Sequence, residues 1–318
     1  MTNILSFTAP TDHTAEQQDA DRGSRVINAL TIDVEDYYHV SGFESVIDRR
    51  SWDRFESRVV ASTEKILALL DDAGVHGTFF VLGWVAERHP RLVRAIHAGG
   101  HEIGSHSYAH RLIYQQTPAE FRADLRRSLA ILEDITGEPV TAYRAPSFSV
   151  TADSLWALDI LAEEGIRLDS SIYPTHHDRY GIAGSPLTPH RIETTAGPLW
   201  EFPPPVCRLL GYPLPVGGGG YFRLYPYPLT RFGLRQINAE RRPFSAYFHP
   251  WEFDPDQPRI GAAWSRRFRH YVSLRHTEGR LARLLRDFAF GTLSEALTSY
   301  LPEAADTLAP PVPARRAA

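Results

Sequence analysis

The feature that most constrains this sequence is a regular alternation of short apolar runs with longer amphipathic segments. The run 26–32 is rich in β-branched residues and apolar at successive positions, which is typical of a buried parallel strand. The segment 118–136 has apolar residues at helical spacing, begins with proline and is followed by Gly137. The predicted elements are strand 26–32, helix 55–70, strand 75–82, helix 84–98, strand 101–105, helix 118–136, strand 140–143, helix 152–164 and strand 166–172.

Strands that take turns with helices predict an α/β fold, in which helices cover a parallel sheet that is either doubly wound or a closed or distorted barrel. Both arrangements place the functional loops at the carboxyl ends of the strands. We therefore expect the chemically active side chains to follow the predicted strands.

Composition shifts along the chain predict its domain organisation. The polar, aperiodic residues 1–25 and the proline- and alanine-rich residues 302–318 are predicted to be disordered tails. Residues 26–250 are predicted to form the main domain, with a loop-rich insertion around 186–228 that holds ten prolines and a run of four glycines. Residues 251–301 are predicted to be a helical extension whose basic helix, 268–288, packs outside the core.

Charge and cysteine content exclude several classes of function. The net charge is −4 and no basic block stands out, so a general nucleic-acid binder is not expected. Cys207 is the only cysteine, which excludes an intrachain disulfide and a cysteine-based metal site. The N-terminal residues lack the pattern of a secretory signal, and no apolar run approaches the ~20 residues that span a bilayer. We expect a cytoplasmic protein, either free or peripheral to the inner membrane, and make no prediction of its oligomeric state.

Polar side chains with useful chemistry fall at the predicted strand ends. His106 and His110 lie four residues apart and would share one face if the backbone between them were helical. Two neutral imidazoles and one carboxylate, with a position left for water, are the ligand set of a catalytic divalent metal site. A second nearby carboxylate can take the proton as water attacks. The residues that follow the strands are Asp33, Glu35 and Asp36; His106 and His110; Arg144 and Ser147; Asp169; and His249.

These five groups, in this order, resemble the five motifs of the polysaccharide deacetylase family, the NodB-homology carbohydrate esterases. The resemblance covers residues 26–250 and implies a distorted (β/α) barrel with a loop-rich C-terminal extension. The segments Asp33–Val40, Arg208–Gly211 and Gly218–Leu224 are similar to the branch of the family associated with exosortase-linked exopolysaccharide loci. The implied activity is metal-dependent removal of N-acetyl groups from N-acetylhexosamine residues of a polysaccharide, with an exopolysaccharide as the expected polymer.

The resemblance also implies a role for each residue. Asp33 would be the base, Arg144 would stabilise its carboxylate, and the backbone N–H of Ser147 would help to hold the oxyanion. His249 would protonate the leaving amine, with Asp169 keeping it charged and oriented. Tyr173 and Pro174 would wall the acetyl pocket.

The third metal ligand is either Glu35 or Asp36, because the sequence departs here from the adjacent Asp-Asp pair of the usual first motif. Strand alternation places Asp33 and Glu35 on one side and favours Glu35. Zinc is the expected metal, but cobalt, nickel and iron suit the same ligands.

Each motif taken alone also has a structural explanation, such as a solvated strand end, a loop cap or a core histidine. Two other functions remain open: an allantoinase-like or cyclic-imide C–N hydrolase of the same fold, and an inactive carbohydrate-binding relative. The glycine run 217–220 is not followed by the Gly-Lys-Ser/Thr of a phosphate loop, so it is interpreted as a flexible turn or a close approach to substrate. Several aromatic residues are candidates either for sugar stacking or for the core, namely Tyr221, Phe222, Tyr225, Tyr227, Trp251 and Trp264.

Overall fold

The computed structural model of the 318-residue chain describes residues 7–8, 25–175, 180–209 and 211–308. A ten-stranded, mostly parallel sheet is its central element. The strands are β1 (Phe7–Thr8), β2 (Ile27–Val34), β3 (Thr78–Val81), β4 (Glu102–Ser105), β5 (Ala142–Tyr143), β6 (Leu168–Asp169), β7 (His190–Thr194), β8 (Gly197–Glu201), β11 (Ser245–Phe248) and β12 (Ala289–Gly291), while β9 (Val206–Leu209) and β10 (Tyr212–Pro215) form a separate hairpin.

The order across the sheet is β1-β7-β8-β6-β5-β4-β3-β2-β11, with β12 also paired to β2. Neighbours from β8 to β11 in this order run parallel, and β7 is antiparallel to both β1 and β8. The predicted α/β fold class is confirmed. Strand β2 is buried along nearly its whole length between β3 and the pair β11 and β12.

Helices cover the sheet and occupy the connections between strands. They are α1 (Val59–Ala73), α2 (Gly83–Arg88), α3 (Pro90–Ala98), α4 (Pro118–Thr136), α5 (Trp156–Glu163), α6 (Gly219–Leu224), α7 (Tyr227–Ala239), α8 (Trp264–Tyr271), α9 (Thr277–Asp287), α10 (Leu293–Tyr300) and α11 (Ala304–Leu308). None of the described helices is long and apolar enough to cross a membrane.

Local sequence explains why α4 has the predicted bounds. Thr117 and Glu120 form a capping box, in which each side chain accepts a hydrogen bond from the other's backbone N–H. Pro118 occupies the first turn, where its missing N–H is not needed. Gly137 ends the helix with a positive φ of 76°, which glycine adopts without strain.

Several predicted elements differ from those observed. The predicted helix 84–98 is two helices, because Pro90 begins a new one after His89 leaves helical geometry. The predicted basic helix 268–288 is also divided, since α8 ends at Tyr271 and a short 3-10 turn precedes α9. Phe7–Thr8 and Ala304–Leu308, inside the predicted tails, form β1 and α11, while most residues of both tails lie outside the described ranges.

The segment 251–301 is not a purely helical layer outside the core. Its strand β12 pairs with β2 at Ile27, Asn28 and Ala29, so this segment completes the central sheet. Helix α10 buries Leu293 and Leu297 in a core cluster that contains Ala29 and Phe80. The insertion 186–228 was expected to be rich in loops with short strands, and it holds the four short strands β7 to β10 together with the short helix α6.

The glycine run approaches another strand closely. A Cβ atom at Gly218 would lie 2.2 Å from the carbonyl oxygen of Tyr247, and the N–H of Tyr247 donates to the carbonyl of Gly217 at 3.0 Å. Only glycine allows this distance between the two backbones. The run therefore docks on β11, and Gly219 and Gly220 reach the edge of the main cleft.

Candidate active site

The carboxyl end of β2 brings two acidic side chains into the floor of a cleft. Asp33 and Glu35 are almost fully buried and both line it. The indole N–H of Trp251 donates to Oε1 of Glu35 at 3.1 Å, which fixes the orientation of that carboxylate. Burial raises the pKa of Glu35, but the nearby imidazoles of His110, His249 and His106 outweigh it, and the pKa is lowered overall.

The histidine pair lies on the loop that follows β4. The loop is not helical, and Ser107 and His110 have positive φ values of 63° and 49°, so the two side chains are not brought together by helical spacing. Asp124 on α4 holds the loop by accepting hydrogen bonds from the backbone N–H groups of Tyr108 and Ala109, at 2.7 and 3.1 Å. The two imidazoles still face one another, with ring centroids 5.3 Å apart.

Glu35, His106 and His110 each offer one ligand atom, and these atoms all lie within 4.8 Å of one another. Nδ1 of His106 donates to the carbonyl of Arg144 at 2.8 Å, which leaves its Nε2 free as a lone-pair donor. Burial lowers the pKa of His106 to about 4, so this imidazole is neutral at neutral pH, as a metal ligand must be.

The buried Oε2 of Glu35 supports the fit to a metal ion. It lies 2.8 Å from Nε2 of His110, yet no hydrogen bond satisfies it among the described residues. Two lone-pair atoms that share a buried space without a well-formed hydrogen bond suit a common cation. The donor set, two imidazole nitrogens and one carboxylate, suits a divalent transition metal.

Asp36, the alternative ligand, accepts hydrogen bonds from the start of helix α1 instead of lying with the two histidines. Its Oδ2 accepts hydrogen bonds from the backbone N–H groups of Arg58 and Val59 and from the hydroxyl of Ser57. These contacts provide hydrogen-bond acceptors for backbone N–H groups at the N-terminus of α1, which have no partner within the helix. Burial raises the pKa of Asp36 to about 6. The structure thus places Glu35, and not Asp36, with the two histidines.

Asp33 is paired with a fully buried arginine. Nη1 of Arg144 donates to Oδ1 of Asp33 at 2.8 Å and to Oγ1 of Thr31 at 2.8 Å. The other guanidinium edge donates to the carbonyl and the hydroxyl of Ser170. The guanidinium therefore ties the ends of β2, β5 and β6 together and orients one oxygen of Asp33, while Oδ2 faces His249 at 3.7 Å.

His249 follows β11 and points at both carboxylates of the floor. Its Nε2 lies 3.7 Å from Asp33 and 3.9 Å from Glu35, and its Nδ1 lies 3.2 Å from Oε1 of Glu252. Burial acts to lower the pKa of His249, but the hydrogen bond and negative charge of Glu252, helped by Glu35 and Asp33, raise it to about 9. His249 is therefore protonated at neutral pH.

Asp169 does not hold His249, which corrects the role that the family resemblance implied. Its carboxylate accepts hydrogen bonds from the N–H of Ser170 and the hydroxyl of Ser171, and it interacts with Glu201. Glu252, fully buried and 3.5 Å from Nε of Arg223, orients His249 instead. The sequence signal for Glu252 was its position three residues after His249, on the 3-10 turn Pro250–Phe253.

A second buried acidic residue was also missed. Asp169 and Glu201 are directly paired in register on β6 and β8, which brings two carboxyl groups together away from solvent. Burial raises the pKa of Asp169 to about 7, and burial together with the charge of Asp169 also raises the pKa of Glu201. The two carboxyl groups therefore keep protons to higher pH than exposed carboxyl groups do. No sequence pattern marked Glu201, because β8 is distant from β6 in the chain.

The cleft above these groups has a volume of about 380 Å³. Ser147 lies on its edge with a positive φ of 53°, and its hydroxyl is 2.8 Å from that of Ser41. Tyr173 and Pro174 do not line the cleft; Phe148 and Tyr247 do, and Tyr173 packs edge-on behind Phe148 with ring centroids 5.3 Å apart. Of the aromatic candidates, Phe222, Tyr227 and Trp251 are buried and Trp264 is exposed.

Two family profiles match consecutive parts of the chain. Residues 50–166 match the profile described as polysaccharide deacetylase, and residues 170–298 match a domain of unknown function, DUF3473. The first match contains His106, His110 and Arg144, and the second contains His249. Asp33 and Glu35 precede both matches, so their placement in the site comes from the structure.

Curated relatives are similar over part of their length. A peptidoglycan-N-acetylglucosamine deacetylase of Bacillus cereus is 29% identical over 120 residues, 34% of this chain and 44% of that protein. A chitin deacetylase of Pestalotiopsis sp is 31% identical over 134 residues, 41% of this chain and 45% of that protein. This chain thus spans less than half the length of these relatives.

Solved structures show the same fold. A protein from Mycobacterium smegmatis, crystallised as a candidate polysaccharide deacetylase, superposes with a TM-score of 0.60 at 20% identity, covering 99% of this chain and 100% of the other. An allantoinase superposes with a TM-score of 0.59 at 15% identity, covering 88% of this chain and 93% of the other. At these identities the likeness concerns the fold alone.

Proposed function

This chain contains a polysaccharide deacetylase domain of the NodB-homology type, and on that premise we propose that it is a metal-dependent hydrolase that removes acetyl groups from N-acetylhexosamine residues of a polysaccharide. The observation that carries the proposal is the convergence of three ligand side chains, Glu35, His106 and His110, with an arginine-held carboxylate and a protonated histidine in one cleft.

The residues around the three ligand side chains suggest which residue performs each step of the proposed reaction. A divalent metal held by Glu35, His106 and His110 would act as a Lewis acid on the acetyl carbonyl and acidify a bound water. Asp33 would accept the proton of the attacking water, and this role is supported by Arg144, which occupies one of its oxygens and leaves Oδ2 towards His249. The N–H of Ser147, on the cleft edge, would donate to the developing oxyanion.

His249 would protonate the leaving amine of the sugar. Its Nε2 lies 3.7 Å from Oδ2 of Asp33, so the proposed acid and the proposed base lie close together at the ends of two neighbouring strands. Glu252 keeps the imidazole charged from the opposite nitrogen. We propose zinc as the metal, with cobalt, nickel or iron as substitutes that the same ligands accept.

We propose an exopolysaccharide as the natural polymer, and the similarity of Asp33–Val40 and Gly218–Leu224 to the exosortase-linked branch supports this choice. A cytoplasmic location, either free or peripheral to the inner membrane, stays a prediction. Fractionation that finds the protein wholly in the periplasm would overturn it.

The decisive experiment measures acetate release from N-acetylglucosamine oligomers by the purified protein, before and after chelation and after zinc or cobalt is restored. We expect release that chelation abolishes and metal restores. His106→Ala should lose both metal and activity, whereas His97→Ala, outside the cleft, should keep both.

Two other results would replace the proposal. Metal binding without acetate release from any glycan, together with hydrolysis of a small cyclic amide, would indicate an allantoinase-like or cyclic-imide hydrolase. Oligosaccharide binding without metal or turnover would indicate an inactive carbohydrate-binding protein.

A further inference from the structure

Helix α8 forms one wall of the cleft mouth and exposes aromatic side chains there. Trp264 is 75% exposed and Phe268 is 44% exposed, one helical turn apart, and their rings stack at 5.4 Å with an interplanar angle of 18°. Phe268 and Ser265 line the same cleft as Asp33 and His249. An exposed aromatic stack beside a deep polar cleft is a surface on which a sugar ring can pack.

The same helix makes the cleft mouth positive. Arg266, Arg267 and Arg269 lie on α8, which carries no acidic residue. Nη1 of Arg266 donates to the carbonyl of Gly42, which also lines the cleft, at 3.3 Å and to the hydroxyl of Ser45 at 2.5 Å. Arg269 and Tyr180 both line the cleft.

The described acidic residues of the cleft do not neutralise this mouth. Among the described lining residues the carboxylates are those of Asp33, Glu35 and Glu252, all buried in the floor. Asp33 is paired with Arg144, Glu35 with the histidines and Glu252 with His249 and Arg223. The side chain of Arg269 is exposed and makes no ion pair with a described carboxylate.

We propose that α8 forms a subsite for a carboxylate-bearing sugar next to the N-acetylhexosamine that is deacetylated. The ring of the acidic sugar packs on Phe268 and Trp264, and its carboxylate pairs with Arg269. A guanidinium group suits this pairing because it forms charge-assisted hydrogen bonds with carboxylates. This inference rests on the proposed function and names its substrate class: a polymer in which N-acetylhexosamine alternates with an acidic sugar. A lipid surface fits the position less well, because Ser265, Phe268 and Arg269 face the catalytic cleft itself.

The test is direct binding of matched oligosaccharides by calorimetry. The probes are hexasaccharides of heparosan and hyaluronan, which alternate an N-acetylhexosamine with glucuronic acid, and the neutral N-acetylglucosamine hexamer. We expect the acidic hexasaccharide of suitable linkage to bind the parent protein at least about tenfold more tightly, as one charge-assisted pair provides. This preference should shrink as salt is raised from 50 to 500 mM.

The variants separate charge from stacking. Arg269→Gln should abolish the preference and leave the neutral oligomer's affinity nearly unchanged, while Phe268→Ala should weaken all three probes. Arg91→Gln on α3, an exposed arginine outside the cleft, should behave as the parent. Equal binding of acidic and neutral probes, or an unchanged preference in Arg269→Gln, overturns the subsite.

Two further readouts distinguish the failures. Phosphatidylglycerol vesicles that bind through Arg269, when no hexasaccharide does, would replace the subsite with a lipid contact. Acetate is measured on the same mixtures. Selective acidic binding without acetate release supports the subsite and contradicts the deacetylase function, whereas acetate release with no acidic preference supports the function and contradicts the subsite.

Discussion

His249 can donate a proton only while it is charged, and Glu252 is the residue that keeps it so. Because the pKa of His249 is raised to about 9, the imidazole is protonated at lower pH and loses its proton as the pH rises through that value. Glu252→Gln removes a negative charge from Nδ1 and should lower the pKa of His249. We expect the alkaline limb of kcat/KM to move to lower pH, with the largest loss of activity at pH 8–9.

The pH profile of acetate release from pH 6 to 10 tests this directly. Glu278→Gln, the same change at an exposed position of α9, serves as the control and should leave the profile unchanged. If Glu252→Gln reduces activity equally at every pH, Glu252 only maintains the local structure and does not set the proton affinity of His249.

Mutation should distinguish the role of Asp33 from that of the three proposed metal ligands. Asp33→Asn keeps the shape of the side chain but cannot accept a proton, so kcat should fall by about 10²–10⁴-fold, as loss of a general base usually does. The three ligand side chains are untouched, and the zinc content should therefore stay near that of the parent. Metal analysis together with acetate release measures both. Loss of metal in Asp33→Asn would instead make Asp33 a ligand, and Asp72→Asn on α1 is the neutral control.

At the scale of elements, the pairing of β6 with β8 buries two carboxyl groups and raises their pKa values in the folded protein. Asp169 and Glu201 have raised pKa values, whereas both lie near 4 in an unfolded chain. The folded state thus binds more protons above pH 4, so their contribution to stability is complete below pH 4 and is lost as the pH rises through 7. Each extra proton corresponds to about 1.4 kcal/mol per pH unit.

Glu201→Gln should remove much of this pH dependence. We expect the variant to gain stability relative to the parent as the pH rises from 5 to 8, measured as the difference between their melting temperatures. The same series in Glu193→Gln, an exposed glutamate on β7, gives the background. A difference that does not change with pH would mean that the two carboxyl groups are not protonated in the fold.

The alternation of elements could be predicted because it depends on local apolar spacing. Strand ends such as Asp33 and His249 were located correctly for the same reason, since parallel strands bring their carboxyl ends together. What the sequence could not give is which charges meet across distant elements. Asp169 meets Glu201 because of the strand order, and His249 meets Glu252 because of a 3-10 turn. The loop that carries His106 and His110 is held by Asp124 of helix α4.

At the scale of the whole molecule, the site belongs to neither matched segment alone. Strand β2, which carries Asp33, lies between β3 from the deacetylase match and β11 from the second match. The histidines His106 and His110 come from one segment and His249 from the other. The two segments therefore form one structural unit around the cleft, and the C-terminal strand belongs to that unit because β12 also pairs with β2.

This organisation predicts that a chain ending at residue 288 will not fold. It would lack β12 and α10, and with them the buried Leu293, Leu297 and Leu301, which pack in one cluster with Ala29 of β2 and with β3. Burial of three leucines contributes roughly 5–9 kcal/mol, which is comparable to the ~5–15 kcal/mol by which a domain is stable. We expect an insoluble product or one without a cooperative thermal transition, whereas a chain ending at residue 308 should melt as the full protein does. A soluble 1–288 fragment that binds zinc and releases acetate would show that the strand carrying Asp33 is held by β3 and β11 alone.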